Sequence, residues 1–143
     1  MADRQPRRLQ RLLRVRALQL DTVRAEERAA GDHLASETAL GRRIAELSAG
    51  VAPMASPTPT AAGAMLAAAQ LRERLHMTAA AVERRVAVAE TGLARAQAVT
   101  REARRDHLAM EKLLERARAE AIRRDMRALE DAPARSARTL LNP

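Results

Sequence analysis

The 143-residue chain contains no Phe, Tyr, Trp or Cys. A globule of one-domain length normally fills its core with some aromatic rings, which carry large buried area, and none is available here. Without Cys there can be no disulfide, thiolate nucleophile or thiolate-based zinc site. Glycine is scarce, and Gly31, Gly41, Gly50, Gly63 and Gly92 are too scattered to form a phosphate-binding loop. No apolar run approaches the roughly 20 residues needed to cross a bilayer, so no membrane insertion is expected. Residues 1–16 are basic but precede no apolar segment, so they do not read as a secretory signal, and a cytoplasmic protein is expected.

The apolar 47% of the chain is mostly Ala, Leu and Val, and charged residues make up 31%. Ala, Leu, Glu and Arg in such proportions mark long helices or coiled coils. One cluster of helix breakers interrupts them: Pro53, Pro57 and Pro59 lie between Gly50 and Gly63. Pro6 suits a first helical turn and Pro133 helps to stop the second helix. The spacing predicts an all-α chain of two long helices in an antiparallel coiled-coil hairpin. The first helix spans about 7–49, a linker covers 50–63, the second helix spans about 64–130 and a tail covers 131–143.

The second arm carries the clearer pattern. Leu75, Ala79, Val82, Val86, Ala89, Leu93, Ala96, Thr100, Ala103, His107, Met110, Leu114, Ala117 and Ala121 alternate steps of four and three, the period of a left-handed coiled coil. In the first arm Leu9, Leu13, Leu20, Val23, Ala30 and Leu34 form one stripe. Leu40, Ile44, Leu47 and Val51 form another, shifted by one position, which predicts a local change of supercoil near Gly41. Folding at the linker places Ser48 near Ala64 and Arg7 near Arg105, and leaves the second arm from Asp106 onward as an overhang with an unpartnered apolar stripe.

Charge supplies the candidate site. The chain carries 26 basic and 18 acidic residues, a net +8, which suits nucleic acid, an anionic membrane face or an acidic protein surface. Arg4, Arg7, Arg8, Arg11, Arg14 and Arg16 crowd the first arm against Asp3 alone, and nine basic residues from Arg101 to Arg127 load the far part of the second. Cations at a helix N-terminus oppose the macrodipole, so helix stability does not select this arrangement. The plain alternative is a solvated Arg-rich face; the functional reading is a basic tip that docks onto an acidic partner. The proposed contacts are Arg7, Arg8, Arg11, Arg14, Arg123, Arg124 and Arg127 for attraction, and Leu113, Leu114 and Ile122 for apolar contact.

His33, His76 and His107 fit no metal-binding spacing, although His33 and His76 are expected within a few positions of each other and Glu37 lies one turn from His33. No metal, cofactor or catalytic residue is expected: Ser and His never meet in a nucleophile context, and exposed carboxylates among arginines form weak surface pairs. A pI near 11.5 makes nucleic-acid binding the second reading, with no aromatic residue to stack on bases.

Arg8-Leu9-Gln10-Arg11-Leu12-Leu13-Arg14-Val15-Arg16, with the acidic and Ala-rich stretch behind it, resembles the opening of FliJ-type proteins and their YscO-group relatives. Met110-Glu111-Lys112-Leu113-Leu114-Glu115-Arg116, followed by Glu120 and Glu130-Asp131-Ala132, resembles their C-terminal pattern. The aromatic residue that usually opens the family's N-terminal motif has no counterpart here. The resemblance implies a non-enzymatic component of a flagellar or virulence-type export apparatus. Its coiled coil would enter a hexameric export ATPase like a central stalk, contact the membrane export gate protein and handle export chaperones. It would sit in the cytoplasm, peripheral to the inner face of the membrane.

Overall fold

A computed structural model of the chain describes residues 4–51 and 61–132. The proline-bearing part of the expected linker, 52–60, and the tail from residue 133 lie outside the described residues. Helix α1 spans Arg4–Gly50 and helix α2 spans Ala61–Glu130, and the described residues contain no strand. The fold is all-α, with the two helices packed against each other. Both helices begin three residues earlier than breaker chemistry suggested. Pro6 and Gly63 fall inside first turns, where backbone N–H groups have no helical acceptor and a breaker costs little. At the other ends, Val51 N donates to Leu47 O at 3.2 Å and Asp131 N to Arg127 O at 2.8 Å.

The molecule divides into two compact units: residues 1–22 with 101–143, and residues 23–100. In the second of these, the Arg85 guanidinium donates to Glu37 Oε1 at 2.6 Å, and the Thr100 hydroxyl lies 3.4 Å from the Val23 carbonyl. Moving back along α1 from Glu37 to Val23 therefore moves forward along α2 from Arg85 to Thr100, which makes the pairing antiparallel. Gly41 extends the same register, since a Cβ there would lie 3.5 Å from Val82 Cγ1. Ile44, Val82 and Ala89 are buried with Glu37. In the terminal unit, Arg16 donates to Asp106 at 3.3 Å, and Leu20, Leu114 and Ala117 are buried.

Every member of the α2 stripe from Leu75 to Ala121 is buried or half-buried, as its unbroken period predicts. On α1 the expected second stripe holds at two of its four positions, Ile44 and Val51. Leu40 and Leu47 are exposed, and the packed face instead runs Leu34, Glu37 and Thr38, Gly41, Ile44, Ser48 and Val51. An α-helix facing an uninterrupted stripe must keep presenting the same face. The 3–4 progression therefore continues through a glutamate and a glycine in preference to two leucines on the wrong side.

The expected register is also corrected, by about three helical turns. Arg16, not Arg7, pairs at the level of Asp106. Ser48 shares a surface pocket with Ala69, Arg72, Glu73 and His76 and so does not face Ala64. Counting from Glu37–Arg85, the end of α1 comes level with about residue 72 of α2, so the first turns of α2 have no α1 residue opposite them. Met65, Leu66 and Leu71 in those turns are exposed.

Candidate functional site

Counted over the whole sequence, the terminal unit holds seventeen basic and ten acidic residues, and residues 23–100 hold nine and eight. Almost the entire positive surplus therefore lies in the unit that carries both proposed arginine groups. Within it, Arg7, Arg8, Arg11 and Arg14 are all exposed, as are Arg123, Arg124 and Arg127. Leu9, Leu13, Ala17 and Leu20 turn toward α2, which sends the arginines of the same turns outward.

The register separates the two arginine groups along α2. Stepping from the Arg16–Asp106 pair, Arg4 comes level with about Arg118. Arg123, Arg124 and Arg127 thus lie beyond the last α2 turn that α1 can cover. Among the described residues, the stretch of α2 with no α1 residue level with it begins after Arg118, not at Asp106. That moves Leu114 out of the proposed contact surface: it is only 5% exposed and packs between the helices. Leu113 and Ile122 remain exposed, the latter joined by Met126 and Leu129 one and two turns on. Arg124 also donates to the Glu120 carbonyl at 3.4 Å, within its own helix.

The histidines do not converge. His33 comes level with about Ala89, far from His76, because of the corrected register. His33 Nδ1 lies 4.0 Å from Glu37 Oε1, and His107 Nδ1 lies 3.8 Å from Glu111 Oε1; both are ion pairs only when the imidazole is protonated. His107 sits on the packed face of α2, as its heptad position predicts. Among the described residues no three His, Asp or Glu side chains are grouped so as to hold a metal ion. No helix among them is long and apolar enough to cross a membrane.

Sequence reasoning missed the role of Glu37. It is 4% exposed, Arg85 binds one carboxylate oxygen, and Oε2 is buried with no hydrogen-bond partner. Its signal was positional: Glu37 falls three residues after Leu34 and seven before Ile44, on the stripe itself. A buried carboxylate whose one hydrogen bond comes from the other helix costs desolvation and favours this alignment, because a slip separates it from Arg85.

The chain matches no family model, no curated protein and no solved structure.

Proposed function

We propose that this chain is a non-enzymatic, FliJ-like component of a type III protein export apparatus. Its arginine-rich terminal unit docks onto a hexameric export ATPase and links that ATPase to the export gate, with export chaperones as further partners. The observation that carries the reading is the uneven charge: seventeen basic against ten acidic residues in one unit, near balance in the other. The sequence resemblance at residues 8–16 and 110–116 supports it. Two helices side by side are about 20 Å across, narrow enough to enter a ring. Arg8, Arg11, Arg14, Arg123, Arg124 and Arg127 supply attraction, which governs association rate more than final affinity. Leu113 and Ile122 supply apolar contact.

Purification of tagged protein from its native cell tests this reading. An export ATPase in the eluate supports it; its absence under gentle, low-salt conditions counts against it. The second reading, a basic coiled coil that binds nucleic acid, draws on the pI near 11.5. It predicts binding at low ionic strength that falls steeply with salt as counterions are released. A filter-binding titration that finds no binding at low salt removes it.

A further inference from the structure

The outward face of α1 in the terminal unit has a pattern that ring docking does not require. Taking Leu13 and Leu20 as the packed side, and turning 100° per residue, Arg4, Arg7, Arg8, Arg11 and Arg14 fall within an arc of about 120° on the opposite side. No acidic residue occurs between Arg4 and Leu20. Among the described residues, Arg4, Arg8, Arg11 and Arg14 form no ion pair. The same half of the helix also exposes Leu12, Val15 and Leu18, at 46%, 50% and 68%. Arg4, Arg8, Arg11, Val15 and Leu18 follow steps of four and three, forming one straight line that is cationic at one end and aliphatic at the other.

We propose that this face lies against an anionic phospholipid bilayer. A fan of arginines this wide is broader than the narrow seam one partner helix would cover, and it suits a flat surface of diffuse negative charge. A cluster of four to eight basic residues on such a helix is what anionic headgroups attract. Guanidinium groups bind phosphate in a bidentate manner, and long arginine stems lie along apolar surface while their heads reach the headgroups. The aliphatic side chains distinguish this surface from a nucleic-acid site: Leu12, Val15 and Leu18 gain burial at the acyl boundary and gain nothing from a phosphate backbone. With few exposed aliphatics the attachment is peripheral and reversible. It uses Arg8 and Arg11, which ring docking also uses, so the two engagements exclude one another, whereas Arg123, Arg124 and Arg127 belong to ring docking alone.

Flotation of the full chain with vesicles tests the proposal independently of any ATPase. Vesicles of phosphatidylcholine with phosphatidylglycerol should carry the protein at low salt, and phosphatidylcholine alone should not. Each arginine at the surface contributes roughly fivefold, so R8Q/R11Q should weaken binding roughly 25-fold. L12S/V15S/L18S should weaken it severalfold while keeping the salt dependence, and R123Q/R124Q/R127Q should change it far less than R8Q/R11Q. Circular dichroism of each variant confirms that the helices persist. Failure to float with the anionic vesicles overturns the proposal, as does flotation indifferent to R8Q/R11Q. So does displacement by duplex DNA combined with indifference to L12S/V15S/L18S, which would make this a nucleic-acid face.

Discussion

Two residues show how differently side chains along one helix can be employed. Leu114 and Ile122 are two turns apart on α2, yet Leu114 is buried between helices and Ile122 is 64% exposed. Leu114→Ala should therefore lower stability by about 2–3 kcal/mol, toward the low end for a buried leucine because the surrounding packing is Ala-rich. Ile122→Ala should change it by less than about 0.5 kcal/mol. Urea melts of the two variants read the difference directly. Glu37 and Arg85 are the polar counterpart. Arg85 keeps a 60% exposed side chain, so water partly replaces it when it is removed. Arg85→Ala should cost about 1–2 kcal/mol, below the range for a wholly buried pair. Glu37→Met, which removes the desolvated carboxylate and keeps the volume, should raise stability by about 1 kcal/mol or more. A fall in melting temperature for Glu37→Met would show that the carboxylate stabilises this packing.

The long elements were legible wherever one stripe had no rival. Every member of the α2 stripe from Leu75 to Ala121 is buried or half-buried as its spacing predicts, because no second apolar line of that period competes with it. On α1, Leu40 and Leu47 drew the reading off the packed face, since hydrophobicity ranks them above Glu37 and Gly41 while helix geometry does not. Register was illegible for a related reason. An Ala-rich seam offers nearly equal packing at several offsets, and the specific contacts that choose among them, Glu37–Arg85 and Gly41–Val82, are visible only in three dimensions. Cysteines at those last two positions test the register. G41C/V82C should oxidise to an intramolecular cross-link at low protein concentration, whereas a pair at positions 20 and 92 should not. Efficient linkage of the second pair would restore the offset expected from sequence. Gly92 belongs to this scale too: a Cβ there meets nothing within 4 Å in the middle of α2. Gly92→Ala should stabilise the chain by about 1 kcal/mol, read as a higher thermal midpoint.

At the scale of the whole molecule, the sequence carries its charge in one unit and a buried alignment contact in the other. The candidate arginines were legible in the sequence as clusters. What was not legible was their division, because it depends on where α1 ends against α2. Arg8, Arg11 and Arg14 ride on the outer face of a packed pair of helices, whereas Arg123, Arg124 and Arg127 lie on α2 beyond the turn level with the start of α1. The proposed function makes that end of α2 the part that meets the ATPase. The decisive measurement is therefore stimulation of a purified export ATPase by this protein and by two charge-reversed variants of unchanged helicity. R123E/R124E/R127E should slow association and abolish stimulation, and R42E/R43E, in the nearly neutral unit, should leave it largely intact. Loss of stimulation in R42E/R43E with retention in R123E/R124E/R127E would place the docking surface in the other unit, and stimulation untouched by either would contradict docking through these arginines.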